Sequence, residues 1–318
     1  MDVWMNIALG LVLLLVGGEL LVRGAVASAK SLGVSPLLIG LTLVGFGTST
    51  PELVTSVTAA LNGSPGIAVG NVVGSNIANV FFILGLSALI YPMAVNPKGF
   101  KRDAVMLSVS ALACLGVVLH GRMDMLVGVA FLGILLAYVV FVYTQEKRMP
   151  DEAAVVAEHR AQDARKGPGN MALSVGMAVA GIAITIFGAR FLVDGSIALA
   201  KGLGVSDTII GLTIVAVGTS MPELVTSVMA ALRKHADVAY GNIVGSNIFN
   251  VLFILGTTSI IQPIDMPHQI ARFDIWVMLA ATGLLVYFAR TGTKLQRWEG
   301  WVFIAGYAAY TSYLITIA

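Results

Sequence analysis

The sequence is poor in charge and nearly lacks cysteine. Charged residues make up 11% of its 318 residues and hydrophobic residues 57%, whereas about a quarter of an ordinary soluble domain is charged. No soluble core could use that much apolar surface, so the composition excludes a soluble protein and indicates an integral membrane protein. Cys114 is the single cysteine, which excludes an internal disulfide.

Motifs for ATP use and for hydrolysis are also missing. The chain has no G-x-x-x-x-G-K-S/T phosphate-binding loop, so the sequence does not support transport powered by ATP hydrolysis. Its four histidines lie in or beside predicted loops, and we expect no histidine or aspartate at a central depth in the membrane. An intramembrane hydrolase would need a Ser–His or paired-Asp arrangement there. We therefore predict that the protein is not an enzyme, has no cofactor, binds no nucleic acid and needs no obligate protein partner.

Long hydrophobic runs predict an all-α integral membrane protein with ten transmembrane helices in the lipid bilayer. The first run lacks a basic segment before it and a small-residue cleavage motif after it, so we interpret it as a retained span and not as a signal peptide. The predicted spans are Val3–Val22, Pro36–Leu61, Gly66–Ile90, Ala104–Leu119, Met123–Tyr143, Met171–Val193, Asp207–Leu232, Val238–Ile261, Ile275–Ala289 and Trp298–Ile317.

Five spans lie on each side of a polar segment, 144–170, with five acidic and five basic side chains. We predict a first five-helix repeat over 1–143, a linker over 144–170 with one helical stretch at 151–165, and a second five-helix repeat over 171–318. Alternate loops, starting after the first span, hold 15 lysines and arginines, and the other loops hold 4. The positive-inside rule therefore places the linker in the cytoplasm and both termini outside the cell membrane. Because five is odd, equivalent helices must cross in opposite directions, so the repeat is inverted.

Two blocks of sequence, 40–85 and 211–256, are nearly the same. At a constant offset of 171, 31 of their 46 aligned positions are identical. Each block carries one glutamate, Glu52 or Glu223, in a hydrophobic region. An ionisable side chain at the bilayer centre costs about 2.5–3.5 kcal/mol or more, so it is a functional candidate by default. A duplicated apolar block of this kind is typical of transporters built from two related halves.

Each glutamate ends a short motif, GTSTPE at 47–52 and GTSMPE at 218–223. Glycine and proline in a membrane helix free backbone groups, which is tolerated where the carbonyls line a polar cavity or hold an ion. The hydroxyls of Thr48, Ser49, Thr219 and Ser220 stand beside the two carboxylates. Carboxylate, hydroxyl and carbonyl oxygens are the ligands that hard cations such as Ca²⁺ and Na⁺ select. Without histidine or cysteine nearby, a zinc or copper site is not indicated.

A second pair of motifs follows, GNVVGSNIAN at 70–79 and GNIVGSNIFN at 241–250. Ser75 and Asn79 are four residues apart and share one helical face, and Ser246 and Asn250 repeat this spacing. We interpret these four as ion ligands. The other asparagines are as well suited to a structural, scaffold role as to ion ligation: Asn71, Asn76, Asn242 and Asn247. Converging repeats would form a cage of oxygens with a formal charge near minus two.

Each motif also has a plain structural interpretation. Ser49-x-x-Glu52 and its copy match a capping box with proline in the first turn, so the glutamate could cap a helix. The serines and asparagines could bond between helices, and the glycines could allow close helix approach. We favour function for the glutamates because a neutral cap would serve as well at a lower cost in the membrane.

Other residues predict supporting structure. Two i, i+4 pairs, Glu19–Arg23 and Arg190–Asp194, are predicted as interfacial ion pairs that fix the first helix of each half. Asp207 is a predicted N-cap. Three further aspartates are predicted at loop edges: Asp103, Asp265 and Asp274. Glycines of the first and sixth spans are candidate hinges: Gly10, Gly17, Gly18, Gly176, Gly181 and Gly188.

With these motifs, the chain resembles the Ca²⁺/cation antiporter superfamily, in particular small prokaryotic sodium/calcium exchangers. The GTS-x-PE and GN-x-x-GSNI-x-N blocks resemble the two α-repeats of that family. The resemblance implies that the second and third spans of each half line the transport path. It also implies ion ligation by Thr48, Ser49, Glu52, Ser75, Asn79, Thr219, Ser220, Glu223, Ser246 and Asn250, with backbone carbonyls at Gly45 and Ala216 as further candidates.

The chain departs from that family at one of these positions. Well-studied exchangers often carry Asp where this chain has Asn250, so Glu52 and Glu223 are left as the central carboxylates. The proton-coupled branch is recognised by a GN-x-x-E block, and Gly74 and Gly245 stand in place of its acid. The departure leaves sodium stoichiometry, potassium dependence and the role of protons open.

The function expected from the sequence is secondary antiport of Ca²⁺ against Na⁺ by alternating access at one shared site. A proton-coupled antiporter for Ca²⁺ or another divalent cation is the alternative, and it would use the same glutamates as proton carriers. A cation channel is a third possibility, but two inverted halves argue against it. The identity of the divalent substrate and the oligomeric state are not determined by the sequence.

Overall fold

The computed structural model describes residues 3–32, 36–63, 65–94, 97–147, 171–202, 216–292 and 294–317. The predicted N-cap at Asp207, the predicted linker helix at 151–165 and the start of the seventh predicted span lie outside these residues. The described helices are α1 (Val3–Leu32), α2 (Pro36–Ile39), α3 (Gly45–Thr48), α4 (Thr50–Leu61), α5 (Pro65–Ala78), α6 (Gly85–Ile90), α7 (Pro97–His120), α8 (Met125–Lys147), α9 (Met171–Gly202), α10 (Ala216–Thr219), α11 (Met221–Leu232), α12 (Ala236–Phe249), α13 (Gly256–Ile261), α14 (Ile275–Gly292) and α15 (Arg297–Ile317).

Four π-helical turns join or extend these helices, at Gly40–Val44, Asn79–Leu84, Asn250–Leu255 and Ile270–Asp274. Strand structure in the described residues is confined to two-residue pairings. β1 (Met93–Ala94) pairs antiparallel with β4 (Lys294–Leu295), and β2 (Arg122–Met123) pairs antiparallel with β3 (Ile264–Asp265). The structure therefore confirms the all-α prediction.

Seven described segments are long and apolar enough to cross a membrane. They are Val3–Ala29, Pro65–Ile90, Gly99–His120, Met125–Gln145, Met171–Leu192, Ala236–Ile261 and Ile270–Thr291. The predicted span over 36–61 is instead divided into short helices, and α15, with 21 residues, is not among the seven. The protein is a multi-pass membrane protein, and the count of ten spans stays a prediction.

Two continuous helical segments, Pro65–Ile90 and Ala236–Ile261, form the centre of the molecule, and we call them the central rods. In the 18-residue apolar stretch of Pro65–Ile90, 72% of the residues are buried, and in that of Ala236–Ile261 83% are buried. The corresponding shares are 33% for Val3–Ala29 and 28% for Met171–Leu192. Lipid replaces water around a membrane protein, so burial here reports contact with protein and not hydrophobicity alone. The rods that carry the second motif of each block are therefore surrounded by protein, whereas α1 and α9 lie at the periphery.

Two of the predicted loop-edge aspartates are instead buried in helical segments. Asp103 is fully buried in α7, where it lies 2.6 Å from Arg102 Nε and accepts a bond from Tyr138 Oη at 2.9 Å. Asp274 ends a π-helical turn and accepts a bond from Tyr310 Oη at 3.0 Å. The prediction was wrong because helical structure begins before each apolar run, at Pro97 for Asp103 and by Ile270 for Asp274, and each acid accepts a hydrogen bond from a tyrosine of another helix.

The predicted ion pairs of the first helices form in one half. Glu19 pairs with Arg23 and also accepts a bond from Arg233 Nε at 2.9 Å, which ties α1 to the end of α11. Arg190 and Asp194 are both exposed, and no ion pair joins them in the described part of the chain. The second pair was therefore predicted wrongly, because i, i+4 spacing permits contact on a helix surface without requiring it.

Helices α1 and α9 pack against each other through their glycines. A Cβ on Gly10 would lie 2.6 Å from Leu192 N, and one on Gly188 would lie 2.8 Å from Leu14 N. These contacts involve backbone atoms, so an added methyl group could be accommodated only by separating the helices. Gly176, on the same helix α9, has open space at its Cβ position. Gly10 and Gly188 thus have a packing role that Gly176 lacks, and the role of the candidate glycines as hinges stays a prediction.

Gly188→Ala should destabilise the protein, and Gly176→Ala should not. The first substitution overpacks a backbone contact, at a cost of about 1–3 kcal/mol. The second removes a glycine from a helix without a clash and should gain about 0.5–1 kcal/mol. Thermal unfolding of both variants in detergent, followed by size-exclusion chromatography, measures the difference. Equal melting temperatures for the two variants would show that α1 and α9 do not depend on this close contact.

Candidate metal site

The first motif of each block interrupts a helix immediately before its glutamate. Ser49 separates α3 from α4 with φ −82° and ψ 7°, and Ser220 separates α10 from α11 with φ −88° and ψ 10°. The proline that follows each serine has no N–H and sits in the first turn of the next helix. Glu52 and Glu223 therefore enter the first turns of α4 and α11, where each is 1% exposed.

The capping-box interpretation of these serines was wrong. Neither Ser49 nor Ser220 makes a side-chain capping bond, and the Ser49 N–H donates to the carbonyl of Gly45 at 3.1 Å. Each hydroxyl instead crosses to the glutamate of the other block. Ser49 Oγ donates to Glu223 Oε1 at 3.0 Å, and Ser220 Oγ donates to Glu52 Oε1 at 3.3 Å. The two carboxylates thus lie at one junction between the blocks.

Thr48 joins the same junction through an asparagine of the opposite block. Its Oγ1 lies 3.2 Å from Asn242 Oδ1 and also donates to the carbonyl of Val44 at 3.0 Å. Asn242 Nδ2 donates to the carbonyl of Glu223 at 3.3 Å and to Ser227 Oγ at 2.9 Å. Asn242 therefore supports the backbone that carries the glutamate, which is the scaffold role.

The equivalent contacts recur around the other glutamate. Thr219 Oγ1 donates to Asn71 Oδ1 at 3.5 Å. Asn71 Nδ2 donates to the carbonyl of Glu52 at 3.1 Å and to Ser56 Oγ at 3.0 Å. Ser56 and Ser227 were not predicted from the sequence, although both lie four residues after a glutamate in the two blocks. That i, i+4 spacing was the available signal.

The serines of the second motif reach the same junction. Ser220 Oγ lies 3.2 Å from Ser75 Oγ, and Ser246 Oγ donates to Glu223 Oε1 at 3.5 Å. One helical turn further on, Asn79 and Asn250 each begin a π-helical turn. Such turns shift the register of a helix and are frequent at functional sites. Both asparagines are 1% exposed.

Among the described residues, four acceptor oxygens of the predicted ligands are buried without a hydrogen-bond partner. They are Glu52 Oε2, Glu223 Oε2, Asn79 Oδ1 and Asn250 Oδ1. Buried acceptors without a donor carry the full cost of desolvation, about 1–3 kcal/mol each and more for a charged group. Cations bound within reach of these oxygens would compensate this cost. The pairing of carboxylate and amide oxygens fits a hard cation. The described residues contain no group of three or more His, Cys, Asp or Glu, so a cation bound here would take its remaining ligands from neutral oxygens.

All ten predicted ligand residues are among the described residues, and their ion ligation stays a prediction. Eight take part in the contacts described above, and Asn79 and Asn250 lie one helical turn beyond Ser75 and Ser246. Nine are buried, and Thr219 is half-buried. The carbonyl of Gly45 already accepts a bond from the Ser49 N–H, so its role as an ion ligand stays a prediction, as does that of Ala216. We refer below to the ten predicted ligand residues together as the oxygen site.

A family model described as "Sodium/calcium exchanger protein" matches residues 3–144 and 173–316. The chain belongs to this family. It is 36% identical over 346 aligned positions to the sodium/calcium exchanger MaX1 of Methanosarcina acetivorans, with 97% of each chain covered. It is also 34% identical over 275 positions to the inner membrane protein YrbG of Escherichia coli, which covers 85% of this chain and 83% of YrbG.

Solved structures of the sodium–calcium exchanger NCX_Mj resemble this family member along its whole length. The structure soaked with zero Na⁺ and Ca²⁺ has a TM-score of 0.84 at 30% identity and covers 98% of both chains. The structure soaked with 10 mM Na⁺ and zero Ca²⁺ has a TM-score of 0.83 at 30% identity, again with 98% of both chains covered. The resemblance to this family inferred from the two duplicated blocks is thereby confirmed.

Asn242→Ala should destabilise this family member more than Asn71→Ala. Asn242 is fully buried, so its loss removes the amide that donates to Ser227 Oγ and to the Glu223 carbonyl and leaves no water to replace it, at about 1–3 kcal/mol. Asn71 is half-buried, and water can replace its amide. Thermal unfolding of the two variants in detergent gives the comparison. An equal loss of stability would show that water does not reach the Asn71 side of the site.

Proposed function

We propose that this chain is a secondary antiporter that exchanges Ca²⁺ for Na⁺ at the oxygen site by alternating access. The observation that carries the proposal is the set of four unpartnered buried oxygens, two from each block. Membership of the sodium/calcium exchanger family and similarity to MaX1 and NCX_Mj support the choice of ions. The ions are substrates, and the protein performs no enzymatic reaction.

The oxygen site supplies different ligands to the two ions. We assign Ca²⁺ to the space between Glu52 and Glu223, where two carboxylates neutralise its charge. Several Na⁺ would share the surrounding hydroxyl and amide oxygens with the same carboxylates. The proposed ligand residues are Thr48, Ser49, Glu52, Ser75, Asn79, Thr219, Ser220, Glu223, Ser246 and Asn250. Hydroxyls that donate to a carboxylate can rotate their protons away and accept a cation instead.

Charge neutrality couples the two fluxes in this proposal. An empty site holds two carboxylates, and moving it past apolar surroundings is costly. Bound Ca²⁺ or Na⁺ cancels that charge, so only a loaded site crosses between the two faces. Exchange follows because the site must bind one substrate before it can return from delivering the other.

The proposed architecture has ten helices in two inverted five-helix repeats, 1–143 and 171–318, joined by a linker at 144–170. The reciprocal Ser–Glu contacts support it, since each block completes the site of the other. The basic residues of alternate loops support a cytoplasmic linker and extracytoplasmic termini. The similarity to YrbG of Escherichia coli supports location in the cell membrane.

Glu52→Gln and Glu223→Gln should each abolish ⁴⁵Ca²⁺ uptake into proteoliposomes preloaded with Na⁺. The amide keeps the shape of the side chain but removes half of the charge that neutralises Ca²⁺. Asp265→Asn is the matched control, because its carboxylate is on the surface with 79% of the side chain exposed, and it should transport like wild type. Wild-type uptake in either glutamine variant would refute the central role of the glutamates.

The driving ion is tested with the same proteoliposomes. Uptake by the wild type should require internal Na⁺ and should not occur with a pH gradient alone. Uptake driven by the pH gradient without Na⁺ would refute sodium coupling and favour the proton-coupled alternative. In that case Glu52 and Glu223 would act as the proton carriers.

Cysteine labelling should test the orientation. Cys114 is fully buried, so Cys114→Ala provides a background for introduced cysteines. In intact cells a membrane-impermeant maleimide should label Arg122→Cys, at a side chain that is 64% exposed, and should label Glu158→Cys only after permeabilisation. The opposite pattern would place the linker outside and refute the proposed orientation.

A further inference from the structure

Beside the oxygen site lies a second pair of asparagines, one helical turn before Asn79 and Asn250. Asn76 is 4% exposed and Asn247 is 2% exposed. Asn79 Nδ2 donates to Asn247 Oδ1 at 3.0 Å, and Asn250 Nδ2 donates to Asn76 Oδ1 at 3.0 Å. Each proposed ligand asparagine is therefore bonded to the preceding asparagine of the other block.

These bonds determine which atom each ligand asparagine turns toward the site. An amide has a donor side and an acceptor side, and the two exchange when the group rotates by half a turn. Because the donor sides of Asn79 and Asn250 are taken up by carbonyl oxygens, their acceptor oxygens face away from these bonds. Those two oxygens are the buried Oδ1 atoms without a partner. A rotated amide would present N–H groups to a cation and repel it.

The orientation of Asn76 is itself determined by a sulfur atom. Asn76 Nδ2 donates to Met278 Sδ at 3.6 Å. A thioether sulfur accepts hydrogen bonds but cannot donate one, so it selects the amino side of the Asn76 amide. In the other block Asn247 Nδ2 donates to the backbone carbonyl of Asn76 at 3.5 Å. The side-chain amides of Asn76 and Asn247 thus both turn their oxygens toward the ligand asparagines.

We infer that Asn76 and Asn247 are positioning residues that make Asn250 and Asn79 present oxygen, and not N–H, to the transported cation. This inference rests on the proposed function. The Asn76–Asn250 bond needs the amide donor at position 250, since a carboxylate there would face the Asn76 carbonyl oxygen, with two acceptors about 3 Å apart and no proton between them.

Equilibrium binding of ⁴⁵Ca²⁺ to the purified full-length protein in detergent tests this inference. Asn76→Leu preserves approximate size but removes the acceptor for Asn250. The Asn250 oxygen would then no longer be held toward the cation, and the loss of one such contact to a charged group should weaken Ca²⁺ binding about tenfold. Asn247→Leu should do the same and provides a second test if the first variant does not fold. Thr258→Val is the matched control. Thr258 is a fully buried polar side chain on the rod that carries Asn247, and among the described residues its hydroxyl bonds to the Ile254 carbonyl, so the Kd of the variant should be that of wild type.

A double-mutant cycle separates positioning from general damage to the fold. In an Asn250→Ala background there is no amide to orient, so adding Asn76→Leu should change the Kd by less than about twofold. The pair Asn79→Ala and Asn247→Leu should behave in the same way.

Failure of the inference differs from failure of the proposed function. If wild type binds Ca²⁺ and Glu52→Gln abolishes binding, a wild-type Kd for Asn76→Leu and Asn247→Leu refutes positioning alone. A tenfold effect of Asn76→Leu that persists in the Asn250→Ala background also refutes it. A wild type that binds no Ca²⁺ refutes the proposed function, and the positioning role with it.

Discussion

Two carboxylates buried in apolar surroundings are the constraint on which the rest of the structure depends. An ionised carboxylate in such surroundings costs several kcal/mol unless it is paired or hydrogen-bonded. Glu52 and Glu223 are each 1% exposed, and the shortest side-chain bond to each comes from a serine of the opposite block. Each block therefore needs the other in order to bury its own glutamate.

The backbone is irregular where this constraint acts. The helices break at Ser49 and Ser220, and π-helical turns begin at Asn79 and Asn250. Such departures expose backbone groups that lipid cannot satisfy, so they require protein around them. The rods that bear the two asparagines are the most buried spans of the described chain. At the periphery, α1 and α9 are regular helices that pack closely through glycine.

Much of the site could be predicted because its motifs occur in both sequence blocks. The identity of the two blocks, with a glutamate after Gly-Thr-Ser-x-Pro in both, pointed to one shared site, and the structure brings the serines and glutamates of the two blocks into contact. Local patterns were less reliable. The capping box at Ser49 and the ion pair at Arg190 have the correct spacing, but neither forms in the described residues. Spacing shows which local contacts are possible, whereas packing of the helices determines which contacts form.

The sequence by itself determined the membrane class, the helical content, the duplicated blocks and the chemical type of the site, since composition and repetition are properties of the chain alone. Only the tertiary structure decided which partner each polar group takes. Ser49 bonds to Glu223, Asn79 to Asn247 and Asn76 to Met278, across separations of more than 160 residues. No local periodicity encodes such contacts, because they arise when the two blocks pack and every buried donor must find an acceptor.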